Sequence, residues 1–394
     1  MNMGKKKVAI LLPWLKMGGT NKVALRFIRQ LVDFSDVTLI LSQNIGELRS
    51  EVPDGVNIII DEMKPFKEIF QEDIKKFKVI HIIKDLIYYA RVKMGKDSID
   101  NYKYLVGRHG FISNDSFDCA ISYHGQSPER LLNLIYRVNA DKKVAWIHGK
   151  ISFTQDECLR MEKYYRRLDH FYFVSGPTME AFIEKINVNP AKCTVYYNPL
   201  DKNEILQMSD DSMDLEFNKN VINILTVGRI SSEKGQDMVP AITRRLLDNG
   251  FNICWYLIGD GGMRPEIEKL IVKYNVQNNV ILLGTKTNPY CFMKNCDIYV
   301  QPSYTEGYST TICEAAILGK AIIGTSPSGG IKDQITDGND GLIVDATINS
   351  LTNAVMKLIE NEELRHTFER NIIKKNFSGD GEIKKFISFL NTDG

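Results

Sequence analysis

No stretch of the 394 residues approaches the roughly 18 consecutive apolar residues that a membrane-spanning helix needs, so none is expected. Charge of one sign is also missing. Lys and Arg total 50 against 49 Asp and Glu, a net of +1, which leaves no whole-chain footprint for nucleic acid. Cysteine is sparse: Cys119, Cys158, Cys193, Cys254, Cys291, Cys296 and Cys313 are an odd number scattered through a large chain. Free thiols in a reducing cytoplasm are expected. Cys291 and Cys296 have no matching second pair, which argues against a zinc site. No cleavable leader is expected either. Lys5 to Lys7 and the run Val8 to Leu12 imitate one, but Pro13, Trp14 and Lys16 interrupt it and no small-residue cleavage site follows. Neither half opens with G-x-G-x-x-G after its first strand, which disfavours a nicotinamide dehydrogenase.

What is present is ordinary for a globular chain: 43% hydrophobic and 25% charged residues, at a length that suggests two domains. The small net charge hides an asymmetry. Residues 1–200 hold 30 basic and 23 acidic side chains, a net of +7, and residues 201–394 hold 20 and 26, a net of −6. Two halves of opposite sign suggest two domains with different partners. Short apolar runs, many without alternation, are separated by helical patterns of 10 to 15 residues. That is the pattern of parallel strands buried on both faces. In the first half the runs are 8–12, 37–41, 56–60, 118–122, 144–147 and 170–174; in the second, 222–227, 253–258, 280–283, 298–301, 321–324 and 341–344. The fold class is therefore α/β, with two doubly wound parallel sheets in domains 1–200 and 201–375. Asn198-Pro199 and the polar, acidic stretch 209–220 are the linker candidates. Residues 382–390 carry Ile383, Phe386, Ile387 and Leu390 on one helix face, so the tail 376–394 is expected to pack back on the first domain.

Ligands of such sheets bind at the carboxyl ends of the strands, and three constellations stand there. In 227–235, Val-Gly-Arg-Ile-Ser-Ser-Glu-Lys-Gly, the strand ends and Arg229 and Lys234 occupy the loop before the next helix. A planar fork and a point charge suit a diphosphate, although two cations also suit a solvated loop. Gly259-Asp260-Gly261-Gly262 follows the next strand, where glycine permits a tight turn or close ligand approach. The third runs from Gln301 to Ala316 and places Glu306 and Glu314 seven residues apart, with Gly307, Tyr308, Ser309 and Thr310 leading into a helix. A helix N-terminus favours phosphate, and a carboxylate one turn inside can accept both hydroxyls of a ribose. Residues 311–314 fit equally a capping box in which Glu314 only bonds back to the helix start.

Taken together and in this order, the motifs resemble the retaining glycosyltransferases of family four, the E-x7-E group 1 enzymes of bacterial surface-polysaccharide type. The matching stretches are 197–201, 228–235, 258–261, the E-x7-E block and 329–342. The resemblance implies the GT-B fold, two Rossmann-like domains facing across a cleft, and an enzyme that moves a hexose or N-acetylhexosamine from a nucleotide sugar, with UDP the expected nucleotide. It assigns Arg229 and Lys234 to the diphosphate, Glu314 to the ribose, and Glu306 with the backbone of Gly307 to Thr310 to the donor sugar. Gly284 and Thr285 match a loop that recognises the base, and Gly18 and Gly19 a turn near the phosphates. His148 matches a histidine near the reacting face of the sugar, and His124 is an acceptor-side candidate. Thr20 and Asn21 depart from the small residue and Glu that often follow such a turn, and Asp333 stands where Glu is usual.

The chain has no Asp-x-Asp, the motif by which glycosyltransferases of the other major fold hold a divalent ion. Metal-independent catalysis is therefore expected, with no cofactor. The resemblance implies retention of configuration, for which front-face substitution is the expected route. The acceptor side carries the positive charge: Lys67, Lys75, Lys76 and Lys78 interleave with Phe66, Ile69, Phe70, Ile74 and Phe77, and Tyr88, Tyr89, Arg91, Lys93 and Lys96 follow. That mixture suits a saccharide or polyprenyl-diphosphate-linked acceptor at an anionic membrane surface, with the protein cytoplasmic or peripheral on the inner face of the plasma membrane. Amphipathic helices with an apolar core face read equally well. A nucleotide-sugar 2-epimerase and a non-catalytic nucleotide-sugar-binding subunit are the competing functions.

Overall fold

A computed structural model of the protein describes residues 5–93, 99–149, 151–214, 216–326, 329–377, 379 and 381–392. The chain divides into two units. One comprises Met1–Val174, Thr178–Tyr196 and Gly381–Gly394, the other Ser175–Pro177 and Tyr197–Asp380.

The strands of the first unit are β1 (Lys6–Leu12), β2 (Ser35–Leu41), β3 (Asn57–Ile60), β4 (Ser116–Ser122), β5 (Asn139–Ile147), β6 (His170–Phe173) and β7 (Cys193–Val195). They form one parallel sheet in the order β3-β2-β1-β4-β5-β6-β7. The winding reverses between β1 and β4, which makes their carboxyl ends the place where a crevice opens. Val8 to Leu12 are all buried, as an unbroken apolar run requires when helices cover both faces of a sheet. The helix Gly19–Leu31 after β1 turns Phe27 inward against Trp146 (4.9 Å between ring centroids) and Tyr196 (5.8 Å). Phe386, on the helix Glu382–Asn391, meets the same ring edge-on at 5.2 Å. Burying each such ring contributes about 1.5–3 kcal/mol, so the last helix is held by the aromatic core.

The second unit has β8 (Ile222–Val227), β9 (Ile253–Ile258), β10 (Val280–Gly284), β11 (Ile298–Gln301), β12 (Ala321–Thr325) and β13 (Leu342–Val344). Its parallel sheet has the order β10-β9-β8-β11-β12-β13, the same winding with its switch between β8 and β11.

The structure corrects the sequence at two places. The polar stretch 209–220 is no linker, because it lies within the second unit. Phe217 stacks on Tyr256 at 4.2 Å, and Asp210 and Asp214 pair with Lys294 and Lys286, so its acidic residues have local partners. Between β3 and β4 the chain forms three helices, Phe66–Lys75, Val79–Lys93 and Ile99–Gly107, that sequence periodicity did not resolve. Lys96 lies outside the described residues.

Candidate active site

In the second unit the loops after β8, β9, β11 and β12 are joined by backbone contacts that only glycine allows. Gly259 has φ +136°, and a Cβ there would lie 2.0 Å from the Gly228 carbonyl oxygen; at Gly261 (φ +159°) it would lie 2.2 Å from that of Ile230. Hydrogen bonds close the same seam, from Gly228 N–H to the Ile258 carbonyl (2.9 Å) and from Ile230 N–H to that of Asp260 (3.0 Å). The glycines of this motif thus serve the approach of one loop to another. Gly235, left-handed at φ +66°, likewise brings the β8 loop against the Pro302 carbonyl, where a Cβ would sit at 2.1 Å.

That seam delivers Lys234 to Glu306. The Lys234 Nζ donates to Glu306 Oε2 at 2.6 Å, with the two side chains 20% and 15% exposed. Ser303 Oγ donates to the same carboxylate oxygen at 3.3 Å and accepts from Gln301 Nε2 at 2.9 Å. Gln301 Oε1 in turn accepts from Tyr299 Oη (2.9 Å) and Thr311 Oγ1 (3.2 Å). The network holds a cation and a carboxylate side by side at the end of β11. Arg229 differs. Its side chain is 72% exposed and, among the described residues, reaches only Glu233, at 3.3 Å.

The helix Thr310–Ile317 begins at Ser309, whose Oγ accepts from Ile312 N–H at 3.4 Å. With Ser309 as the cap, Glu314 lies too deep to close a capping box, and the box proposed for 311–314 does not form. Thr154 and Glu157 form one instead, at the helix Gln155–Tyr165. Glu314 is buried on its helix, where Tyr290 Oη donates to its Oε1 at 3.2 Å. Sequence gave no sign of Tyr290, nor of Gln334. Gln334 brackets the residue ahead of the helix: its Oε1 accepts from Ser309 N–H (3.2 Å) and its Nε2 donates to the Ser309 carbonyl (2.6 Å). The Ser309 amide is thereby occupied. Gly307, Tyr308 and Thr310 lie in the same turn, where Tyr308 is buried with its ring 5.3 Å from that of Tyr197.

Asp333, in the motif from Gly329, accepts from Gly176 N–H at 2.8 Å and from Tyr197 Oη at 3.4 Å. Ser175 Oγ donates to the Gly307 carbonyl at 2.9 Å. The short segment Ser175–Pro177 therefore buttresses the Glu306 turn, a role its spacing gave no means to foresee. Gly284 ends β10 at φ +69° and its carbonyl accepts from Gly259 N–H at 2.8 Å, with Thr285 exposed beside it.

The candidates of the first unit are looser. Gly18 caps the helix Gly19–Leu31 without a side-chain bond, and a Cβ there would meet nothing within 4 Å. Its φ of 164° is extended backbone, so open space rather than strain distinguishes it. His124 and His148 follow β4 and β5, with ring centroids 5.8 Å apart and Tyr123 lying 4.7 Å from His148. His148 Nε2, His124 Nδ1 and Tyr123 Oη are shielded and have no hydrogen-bond partner among the described residues, three polar atoms with bonding capacity left at the ends of two adjacent strands. Burial, with Arg130 adding to it, pushes His124 down to about 4. Burial and the neighbouring His124 hold His148 well below the usual histidine range, against a hydrogen bond with the Tyr123 backbone. Both rings are neutral at pH 7. Among the described residues, no group of three His, Cys, Asp or Glu side chains converges as metal ligands would.

Comparison with known proteins points one way. Residues 208–375 match the family described as glycosyl transferases group 1. A relative from Campylobacter jejuni, named N-acetylgalactosamine-N,N'-diacetylbacillosaminyl-diphospho-undecaprenol 4-alpha-N-acetylgalactosaminyltransferase, is 26% identical over 50% of this chain and 52% of its own length. Protein CapJ of Staphylococcus aureus is 30% identical over 50% of this chain and 54% of its own. The chain spans about half the length of the curated relatives it matches. The fold matches that of HepE from Anabaena, solved in complex with UDP and glucose, with a TM-score of 0.72 over 98% of this chain and 100% of that one at 16% identity. WaaG, described as a glycosyltransferase involved in lipopolysaccharide biosynthesis, matches at a TM-score of 0.65 over 98% of this chain and 100% of that one, with 13% identity.

Proposed function

Because residues 208–375 match the glycosyl transferases group 1, we propose that this protein is a retaining glycosyltransferase that moves a hexose or N-acetylhexosamine from a UDP-sugar to a saccharide or polyprenyl-diphosphate-linked acceptor. The observation that carries the reading is the pairing of Lys234 with Glu306 at 2.6 Å, beside the buried Glu314 on the next helix. A cation suited to a diphosphate and a carboxylate suited to sugar hydroxyls already stand together, and the donor takes each from the other.

In this reading the bond from the anomeric carbon to the departing phosphate oxygen breaks while the bond to the acceptor oxygen forms on the same face. The acceptor proton passes to the departing phosphate. Lys234 and the exposed Arg229 stabilise the charge that develops there, a preorganised electrostatic contribution that needs no ion. Neutral His148 offers hydrogen bonds to the sugar. Glu306 is bound to Lys234 and Ser303, which suits a ligand of hydroxyls better than a nucleophile beneath the anomeric carbon. UDP draws support from the HepE complex, and the lipid-linked acceptor from the name of the C. jejuni relative. Lysines of the first half face an anionic membrane surface on which such an acceptor resides.

The decisive experiment is a thermal-shift panel of UDP-, GDP- and ADP-sugars, followed by product mass spectrometry with saccharide acceptors. Stabilisation by a UDP-sugar and an α-linked product are the expected outcome. Turnover of UDP-N-acetylglucosamine without an acceptor would replace the reading with epimerisation. Activity that EDTA abolishes and Mn²⁺ restores would remove its metal-independent part, and a glycosyl adduct trapped on Glu306 its front-face part.

A further inference from the structure

The helix Val79–Lys93 is turned inside out. Toward the protein it presents its charge: Asp85 is fully buried, accepts from Tyr104 Oη and lies 3.6 Å from Arg108 Nε. Arg108 also pairs with the buried Asp73 of the preceding helix. Toward solvent it presents Val79, Ile80, Ile83, Leu86, Ile87 and Ala90, all exposed, with Ile80 at 69%. At 100° per residue these six fall within a sector of about 120°, along a helix about 22 Å long. Phe77, just before the helix, is 85% exposed and sits at φ +52°, a left-handed conformation costly for an aromatic residue. An apolar stripe of this size on solvent marks a contact surface, whereas single exposed apolar residues would not.

The charge around the stripe selects its occupant. Lys75, Lys76, Lys78, Lys84 and Lys93 are all exposed near it. Most acids of the two helices are already paired: Glu72 with Lys64 and Lys76, Asp73 with Lys78 and Arg108, and Asp85 with Arg108, while Glu68 is exposed; Lys75, Lys84 and Lys93 keep the surplus positive. A second copy docking through this stripe would bring two sets of lysines together, whereas an anionic bilayer meets both the cations and the apolar residues. Resting on the reading of the acceptor side given above, we propose that the helix Val79–Lys93 is an interfacial anchor that lies in the plane of an anionic membrane and buries its isoleucine face at the headgroup boundary. Among the described residues no helix is long and apolar enough to cross a membrane, so the contact is one of lying on the surface.

The test is co-sedimentation of the full chain with phosphatidylcholine vesicles, with and without phosphatidylglycerol, for the wild type and for Ile83→Asp combined with Ile87→Asp. Binding to the anionic vesicles that falls at least about tenfold in the double variant supports the anchor. So does quenching by brominated acyl chains of the added fluorescence in Ile83→Trp. Binding that salt abolishes and the Asp variant leaves unchanged would overturn insertion while keeping the charged-surface reading. Absence of vesicle binding in a protein that still transfers sugar to a soluble saccharide would overturn both membrane statements and leave the catalytic one standing. Light scattering that shows a dimer dissolved by Ile83→Asp would reassign the stripe to a second copy. Both positions are exposed, so the variants are expected to keep the wild-type melt; Ile83→Asn with Ile87→Asn repeats the comparison if the aspartates do not.

Discussion

The two sheets share one winding, yet their strand ends are finished in opposite ways. At the end of β8, β9, β11 and β12, loops are fastened to one another by glycine contacts, and the central polar side chains are bonded: Lys234 to Glu306, Gln301 to three partners, Gln334 to both sides of Ser309, with Ser231 Oγ and Gln236 Oε1 left over among the described residues. At the end of β1, β4 and β5, Gly18 faces open space, and Tyr123, His124 and His148 hold shielded polar atoms without partners among the described residues. The first arrangement is preorganised, and the second keeps bonding capacity in reserve. Under the function proposed above, the first arrangement is the donor's and the second the acceptor's.

The sharpest way to break this contrast is to add one methyl group to the fastened side. Gly259→Ala forces a Cβ against the Gly228 carbonyl and is expected to cost about 2–4 kcal/mol, read as a melting temperature lower by several degrees with loss of UDP-sugar stabilisation. Next, Glu306→Gln and His148→Ala are each expected to lower kcat on the order of 100-fold. Glu306→Gln should also weaken the donor-dependent thermal shift, because the sugar hydroxyls lose a charged acceptor, whereas His148→Ala should leave that shift intact. A smaller effect follows from the histidines. Both are depressed in the fold, so below the unfolded value near 6.5 the unfolded chain binds more protons than the folded one. Their stabilisation is complete above that pH and is lost as pH falls toward 4. The melting temperature should therefore drop between pH 7 and pH 5, and drop less in His124→Gln. Smallest of all, Gly18→Ala should change stability by less than about 0.5 kcal/mol, and a raised KM for the donor would assign that open position to the phosphates.

How far the sequence could be read follows the same division. Both sheets were visible because runs such as Val8 to Leu12 and Ile253 to Ile258 are apolar throughout, which only strands covered on both faces require. The three helices between β3 and β4 were obscured because Val79–Lys93 hides an aspartate and exposes isoleucines, the reverse of the pattern that marks a core-facing helix. The stretch 209–220 misled by composition, since acidity reads as a linker until Lys286 and Lys294 are found opposite. At the candidate site, position along the chain placed Lys234 and Glu306 in loops after strands and Glu314 one turn inside the helix that follows. It could not reveal that Lys234 and Glu306, 72 residues apart, touch. Nor could it show that Gly259 and Gly261 serve neighbouring loops, or that Gln334 and Tyr290 brace the helix start, since those facts live in packing.

The excursion Ser175–Pro177 has a consequence for dissection. The chain changes unit four times, after Val174, Pro177, Tyr196 and Asp380, so no single cut separates the halves. A fragment running from Tyr197 to Asp380 would hold every strand of the second sheet and still lack the hydroxyl on the Gly307 carbonyl and the amide on Asp333. The turn that carries Glu306 would lose one strut, and Asp333 another. Nucleotide affinity measured on such a fragment would understate that of the intact chain, and adding Ser175 to Pro177 back as a tethered peptide should restore the difference.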